Sequence, residues 1–216
     1  MEPVVIPAIL AKTKEELLQR ISQVNGLAGE IQLDIMDGDF VPNKTVGLDE
    51  LVSIPALKNA RYEFHWMVRN PEKWIEHIPG GHMHLVHVET IKSFAEIEAA
   101  VRKSGGRLGL AINPETPLEA LLPFAARAER ILVMTVHPGF SGQKYMVEME
   151  KKISALRAKF PKVDIEVDGG VNLETIRGAY AAGANILAAA SAIFAAPDKK
   201  AAIEKLRACA LGDGTQ

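Results

Sequence analysis

Residues 33–38 read Leu-Asp-Ile-Met-Asp-Gly, and residues 166–170 read Glu-Val-Asp-Gly-Gly. In each stretch a short apolar run leads to an aspartate, Asp34 or Asp168, with glycine shortly after it. One interpretation is that each aspartate only caps a turn, because Asp-Gly is common turn chemistry. The other is that both carboxylates stand at strand ends, where two facing acids can remove a proton from one side of a carbon and return one to the other. The pattern of the whole chain favours the second interpretation.

Strand-like and helix-like segments alternate from one end of the chain to the other. The strand-like runs are mostly apolar and β-branched, as expected for parallel strands that are buried on both faces. Eight such units predict an α/β fold with a single (β/α)8 TIM barrel over residues 1–216, and their even spacing favours a closed barrel over an open doubly wound sheet. The predicted strands are Val4–Leu10, Glu30–Met36, Arg61–Val68, His82–Glu89, Arg107–Asn113, Arg130–Val136, Asp164–Val171 and Asn185–Ser191. The predicted helices are Thr13–Val24, Leu48–Ser53, Pro71–Ile78, Ser93–Lys103, Pro117–Arg127, Gln143–Lys159, Leu173–Ala182 and Asp198–Cys209.

The longest segment without a periodic pattern is Gly38–Gly47, directly after the second predicted strand. In barrels of this kind the active site lies at the carboxyl ends of the strands, where the loops that lead into the helices meet. A long loop at that end therefore predicts a cover over the substrate.

Composition excludes several classes of protein. The formal net charge is −2 and the two signs are interspersed, so no basic footprint for nucleic acid is present. The single cysteine, Cys209, excludes an internal disulfide framework and favours a reduced, cytoplasmic setting. No apolar run approaches the length of a membrane span, and the first residues lack the pattern of a signal peptide. We expect no nucleic-acid or membrane partner, and we expect the chain to form a homo-oligomer.

Strand alternation predicts which side chains share the barrel mouth. If Asp34 points inward, Gln32 and Met36 also do, and His65 on the next strand lies beside Asp34. With Asp168 from the seventh strand, these side chains form a possible site for a divalent metal, in which the Gln32 amide oxygen is a weak, neutral candidate for the fourth ligand. The alternative for His65 alone is a histidine that is satisfied within the core.

Glycine-rich loops follow the sixth and seventh predicted strands, and a small-residue pair follows the eighth. The loops after the last two strands of such barrels commonly bind phosphate, and backbone N–H groups can surround an anion only where side chains leave room. The alternative is ordinary turn glycine. The predicted phosphate-binding residues are Gly139, Phe140, Ser141, Gly142, Gly169, Gly170, Ala190 and Ser191.

Besides His65, three histidines of the fourth predicted strand and three methionines near strand ends need an interpretation. His82, His84 and His87 have no acidic or cysteine partner at a spacing that completes a site, so we interpret them mainly as structural, although His87-Val88-Glu89 lies near the predicted mouth. The methionines are either plain core residues or an apolar floor for a flat intermediate. These methionines are Met36, Met67 and Met134.

Taken together, these segments resemble the ribulose-phosphate 3-epimerase family, in order and over residues 6–194. The sequence LDIMDGDFVPN at residues 33–43 is similar to the family's strand-two signature, VMTVHPGFSGQ at residues 133–143 to its strand-six phosphate loop, and EVDGGV at residues 166–171 to its strand-seven motif. Three long motifs in the same order make the resemblance specific.

The resemblance implies a (β/α)8 barrel that inverts C3 of a pentulose 5-phosphate, with ribulose 5-phosphate and xylulose 5-phosphate as the two epimers. It implies that Asp34 and Asp168 act as the acid–base pair. It also implies that these two residues bind a divalent metal (Zn, Mn, Fe or Mg) with His65 and with a histidine two residues before Asp34. The family's three methionines match Met36, Met67 and Met134, and its substrate is a small phosphorylated sugar.

Five positions at the mouth depart from the family's pattern. Most important, Gln32 replaces the first metal-binding histidine, which predicts that a metal is bound weakly or not at all. Three alternatives stay open: a 3-epimerase for a hexulose 6-phosphate such as allulose, a phosphosugar-binding barrel with little turnover, and a related decarboxylase or aldolase barrel. The last ranks lowest, because those barrels carry Asp-x-Lys-x-x-Asp where this chain has no lysine. The other departures are Ala8 for serine, Asp39 for histidine, Ser141 for glycine and Ala190 for glycine. Ala8 and the three methionines also belong to the predicted substrate-binding residues.

Overall fold

The computed structural model describes residues 1–140 and 142–213, and its eight parallel strands close into a barrel in the order β1 to β8. Each strand pairs with its neighbours along the chain, and β1 closes the ring by pairing with β8. The predicted α/β barrel fold is therefore confirmed. The strands are β1 Val4–Ile9, β2 Glu30–Met36, β3 Arg61–Met67, β4 Met83–His87, β5 Arg107–Ile112, β6 Arg130–Met134, β7 Asp164–Asp168 and β8 Ile186–Ala189.

Helices follow the strands and cover the outside of the barrel. Two of the longer ones begin at side-chain caps, where Thr13 accepts a hydrogen bond from the backbone N–H of Glu16, and Ser93 accepts one from that of Glu96. Within the described residues, no helix has both the length and the apolar content that crossing a membrane needs. The helices are α1 Lys14–Val24, α2 Leu48–Leu51, α3 Glu72–Ile75, α4 Phe94–Ser104, α5 Leu122–Ala125, α6 Met149–Lys159, α7 Ile176–Ala181, α8 Ser191–Phe194 and α9 Lys199–Leu211, with 3-10 turns at Val88–Thr90 and Leu118–Ala120.

The predicted helices after β5 and β6 are both shorter in the structure than expected. The predicted helix Pro117–Arg127 is broken into a 3-10 turn and the short α5, where Pro123 lacks the N–H that a continuous helix would need. Helix α6 begins at Met149 rather than at Gln143, because the N–H of Met146 is drawn to the carbonyl of Thr135, at 2.8 Å. The described irregular residues 135–140 and 142–148 alone outnumber those of the 38–47 loop, so the prediction that this loop is the longest is wrong.

A cluster of charged side chains fills the barrel interior at the amino ends of the strands. There Arg130 contacts Glu63, and its Nη2 lies 2.7 Å from Oε2 of Glu30. Its Nη1 lies 3.3 Å from Oε2 of Glu166. Arg130, Glu63 and Glu166 are all buried. Because an unpaired buried charge is costly, this cluster ties three strands to one guanidinium.

Candidate active site

The strand register brings the two aspartates to the same end of the barrel. Asp34 on β2 is paired with His65 on β3, and two residues further along these strands Met36 is paired with Met67. Asp168, the last residue of β7, is paired with Met134. Six side chains that the sequence singles out therefore come from the carboxyl ends of four strands.

A single side chain joins the two carboxylates. Nε2 of Gln32 lies 2.8 Å from Oδ1 of Asp34 and 2.8 Å from Oδ2 of Asp168. Nδ1 of His65 lies 3.0 Å from the same oxygen of Asp34 and 3.4 Å from the same oxygen of Asp168. Gln32 and His65 are fully buried, and the aspartate side chains are 12% and 14% exposed. Each carboxylate therefore faces the cavity on one side and its buried hydrogen-bond partners on the other.

The charges at this site depend strongly on one another. Burial, and then the neighbouring charge of Asp168, raise the pKa of Asp34. Burial alone would lower the pKa of His65, but its hydrogen bonds to Asp168 and Asp34 outweigh that effect and raise the pKa to about 9. With no cation bound, His65 is therefore positively charged at neutral pH and holds the two acids together.

The same donors fit a divalent cation. One oxygen of Asp34, one of Asp168 and one ring nitrogen of His65 lie within 4.8 Å of one another, and carboxylate and imidazole are common ligands of Zn and Mn. Gln32 presents its amide nitrogen to this point, whereas its oxygen Oε1 is buried without a hydrogen-bond partner. If the Gln32 amide rotated by half a turn, Oε1 would face the cation and the N–H groups would point away from it. Asp34, His65 and Asp168 thus suit the metal that the sequence predicts, with Gln32 as a neutral fourth donor.

Above the aspartates lies a cavity of about 220 Å³. Most of the predicted substrate-binding residues line it, so the loops after β6, β7 and β8 meet at one place. Ala8, Gln32 and His65 lie beneath its walls, and Ser141 is outside the described residues. The predicted residues at the wall are Asp34, Met36, Met67, Met134, Gly139, Phe140, Gly142, Asp168, Gly169, Gly170, Ala190 and Ser191. Wall residues that sequence reasoning missed are Leu10, Val136, Pro138, Gln143, Val171, Asn172 and Ala188.

Gly170 shows why this wall needs glycine. Its φ is +67°, a conformation that costs other residues energy, and a Cβ atom there would lie 2.7 Å from the backbone nitrogen of Tyr145. The chain after β7 therefore packs directly against the segment before α6. This close approach leaves the backbone, rather than side chains, facing the cavity.

The loop after β2 is joined to the loop after β6 at the cavity edge. Asn43 donates its Nδ2–H to the carbonyl of Gly139 at 2.8 Å. Asp37 braces the same loop, because its carboxylate accepts the backbone N–H groups of Asp39, Phe40 and Arg69. The predicted cover thus lies beside the cavity and is held by specific hydrogen bonds.

Comparison with known proteins agrees with this geometry. The sequence model of the ribulose-phosphate 3 epimerase family matches residues 4–194. The chain belongs to this family. A ribulose-phosphate 3-epimerase of Eremothecium gossypii is 38% identical over 96% of this chain and 92% of its own length. The cytoplasmic isoform from Oryza sativa is 37% identical over 94% of this chain and 92% of its own, and the enzyme of Mycobacterium bovis is 34% identical over 95% and 92%.

Solved structures outside the family share the architecture. A 3-hexulose-6-phosphate synthase superposes with a TM-score of 0.70 at 19% identity, covering 95% of this chain and 99% of that one. Orotidine 5'-monophosphate decarboxylase from Sulfolobus solfataricus gives 0.67 at 14% identity, covering 99% and 100%. At these identities the likeness shows the barrel fold alone.

His87 lies beside the site, near the mouth as predicted, but its contacts differ from those expected. Its Nε2 lies 2.8 Å from Nε2 of His65, and its Nδ1 lies 3.2 Å from Oε2 of Glu89. The prediction that the histidines have no acidic partner is therefore wrong for His87. The reason is that the strand ends at His87 and a 3-10 turn folds Glu89 back towards it. His84, by contrast, is structural as predicted, since it packs on the outer face against Trp66 and Ser104.

Proposed function

We propose that this chain interconverts ribulose 5-phosphate and xylulose 5-phosphate by inverting C3, with Asp34 and Asp168 as the two proton carriers. The observation that carries the proposal is the pair of buried carboxylates at the base of a cavity whose other wall is built from glycine-rich loops. Membership of the family and the names of the relatives support the same reaction. The name of the rice relative also supports the cytoplasmic location that we propose.

The reaction needs one aspartate ionised and the other protonated. The ionised carboxylate takes the proton from C3, which leaves a planar enediolate, and the protonated one gives a proton to the opposite face. Two close carboxylates favour this division, because the charge of Asp168 raises the pKa of Asp34. Each turnover exchanges the two protonation states, and solvent exchange restores the original one.

Neighbouring side chains support that proton transfer. The Gln32 N–H groups and His65 hold one oxygen of each carboxylate, which leaves the other oxygen of each free for C3. A divalent cation held by Asp34, His65 and Asp168 would supply positive charge next to the oxygens of the enediolate. Met36, Met67 and Met134 offer an apolar wall to the planar intermediate, and the loops from β6 to β8 bind the phosphate through backbone N–H groups.

Solvent exchange tests the proposal directly. The purified protein is incubated in D2O with ribulose 5-phosphate, and NMR follows deuterium at C3 and the appearance of xylulose 5-phosphate. Deuterium at C3 with epimer formation is expected. Exchange only with allulose 6-phosphate would instead assign a hexulose phosphate epimerase. Binding of both sugars without exchange would assign a phosphosugar-binding barrel.

A further inference from the structure

A continuous line of hydrogen bonds runs from the two aspartates away from the cavity. It passes from His65 to His87 through their Nε2 atoms, 2.8 Å apart, and on to Glu89, whose Oε2 lies 3.2 Å from Nδ1 of His87. The other oxygen of Glu89 accepts the backbone N–H of Asn113 at 2.8 Å. His87 is fully buried and does not line the cavity, so its hydrogen-bonded route to the two aspartates runs through His65.

The direction of these hydrogen bonds follows from the chemistry of the end groups. An ionised carboxylate only accepts hydrogen bonds, so Nδ1 of His87 must carry the proton that Glu89 receives. Between the two Nε2 atoms there is room for one proton, which belongs either to His65 or to His87. In the second case His87 would carry a proton on both ring nitrogens and a positive charge.

The surrounding charges decide between the two cases. His65 lies 3.0 Å and 3.4 Å from two carboxylates, whereas His87 contacts the single carboxylate of Glu89 at 3.2 Å. A positive charge is therefore better placed on His65, and two adjacent imidazolium rings would repel each other. His65 then donates through Nε2, and Nε2 of His87 is the acceptor.

We propose that His87 and Glu89 are positioning residues that fix the proton of His65 on Nε2, so that Nδ1 always faces Asp34 and Asp168. Nδ1 then offers either a proton to the carboxylates or a lone pair to a cation. If the ring rotated by half a turn, a buried N–H would lose its acceptor, so this orientation is fixed. The effect of this arrangement on catalysis rests on the proposed function, but the positions of the ring protons can be measured without any turnover.

His84, on the same strand as His87, provides an internal control. Trp66 donates its Nε1–H to Nδ1 of His84 at 3.1 Å, so that nitrogen must carry the lone pair. Nε2 of His84 lies 3.3 Å from Oγ of Ser104, which already donates its own proton to the carbonyl of Val101 at 2.8 Å. His84 is therefore protonated on Nε2, the reverse of the assignment for His87.

Nitrogen NMR of the ring atoms tests the assignment. The full chain is labelled with 15N-histidine and freed of metal. Two-bond correlations between the ring nitrogens and the carbon-bound ring protons are then recorded, and the variants His87→Gln and His84→Gln assign the signals. We expect His87 to be protonated only on Nδ1 and His84 only on Nε2. A His87 ring that is protonated on Nε2, alone or together with Nδ1, would overturn the proposal.

Two substitutions at His87 then separate positioning from packing. His87→Gln keeps an oxygen that can accept the Nε2–H of His65, whereas His87→Leu fills the space without an acceptor. Titration calorimetry with Zn2+ should show affinity roughly 10–100-fold lower for His87→Leu, as is typical when an outer partner of a ligating histidine is lost, and a much smaller loss for His87→Gln. Equal affinity for both variants would contradict the proposal.

The outcomes remain distinguishable from a failure of the proposed function. If the unaltered protein shows no C3 exchange but has the expected ring protonation, the function is wrong and the positioning is right. If exchange occurs but the His87 ring has the reverse protonation, the positioning is wrong and the function is right. If the unaltered protein takes up no Zn2+, the ring protonation alone decides.

Discussion

Nε2 of Gln32 lies 2.8 Å from Oδ2 of Asp168, although the two residues are 136 positions apart in the chain. The same nitrogen reaches Asp34, so one amide joins two carboxylates that would otherwise repel each other. An amide N–H group stabilises these carboxylates but does not bind a cation. The residue that the family's pattern would make a metal ligand is therefore placed here as a hydrogen-bond donor.

We predict that replacing Gln32 by histidine raises the affinity for a divalent metal. In the unaltered chain a cation must turn the Gln32 amide and displace its two hydrogen bonds, and the amide oxygen donates less charge than imidazole. Metal content of the purified protein should be below one ion per chain, and Gln32→His should raise it. Metal analysis and C3 exchange, measured side by side, check both statements.

The matched control for this experiment is Gln32→Leu, which removes the amide without adding a ligand. It should not gain metal and should weaken the contact between Asp34 and Asp168. A full complement of metal in the unaltered protein, with no gain from histidine, would show that the amide is an adequate ligand as it stands.

We predict that Asp34→Asn and Asp168→Asn each abolish epimerisation, because an amide cannot accept the proton. Loss of a general base costs roughly 10²–10⁴-fold in rate. The aspartate that remains can still remove and return a proton on its own face of the sugar. Each variant should therefore exchange C3 hydrogen with solvent in one epimer only, and the two variants should favour opposite epimers, as NMR in D2O can show.

Asp37→Asn is the control for these variants. Asp37 stands three residues after Asp34 but does not line the cavity, and its carboxylate holds backbone N–H groups of the loop. It should keep most of the turnover. Near-normal epimerisation by either Asp34→Asn or Asp168→Asn would show that the proton carriers have been assigned wrongly.

The fold and the position of the two acids follow from simple periodicity. Alternation along β2 predicts that Gln32, Asp34 and Met36 share a face, and parallel pairing places His65 beside Asp34. Both features depend only on local backbone geometry, so sequence reasoning recovers them. The same reasoning places the glycine loops together, because the carboxyl ends of parallel strands lie at one end of a barrel.

Other features depend on where a strand ends or on contacts between separate elements, and periodicity could not predict them. The role of His87 needs the strand to end at that residue and the chain to turn, which brings Glu89 back to its ring. The late start of α6 depends on Thr135 capturing the N–H of Met146. The orientation of the Gln32 amide depends on Asp168, from the opposite half of the sequence. The last two are hydrogen bonds between separate parts of the fold, and the first depends on where a strand ends, so local periodicity reveals none of them.

We predict that Gly170→Ala weakens phosphosugar turnover. The added Cβ would lie 2.7 Å from the backbone nitrogen of Tyr145, so the loops after β6 and β7 must separate. A displacement of this size near a binding site costs roughly 10²-fold in rate, and we expect a higher KM for ribulose 5-phosphate. Gly26→Ala is a matched control, because Gly26 has a similar positive φ of 86° with no atom within 4 Å of its added Cβ. An equal loss in both variants would mean that backbone strain alone explains the effect.

The charged cluster at the amino ends of the strands allows a prediction about stability and pH. Glu63 and Glu166 face each other beside Arg130, and burial together with the charge of Glu63 raises the pKa of Glu166 well above its usual range. Because Arg130 contacts Glu63 more closely than Glu166, we place the shared proton on Glu166. The native protein then keeps this proton at pH values where the unfolded chain has lost it.

We therefore predict that the stability of the unaltered protein falls, relative to that of Glu166→Gln, as pH rises above about 4.3, the usual pKa of glutamate in an unfolded chain. The native state holds one proton more than the unfolded state in this range, so the difference can grow by up to about 1.4 kcal/mol per pH unit until the pKa in the folded state is passed. Urea unfolding at pH 5, 6, 7 and 8 measures this difference in stability.

Arg130→Met serves as the contrast, because it leaves the carboxyl groups buried without their partner and should cost about 3–5 kcal/mol. A stability difference between Glu166→Gln and the unaltered protein that stays constant over this pH range would show that Glu166 is ionised in the native state.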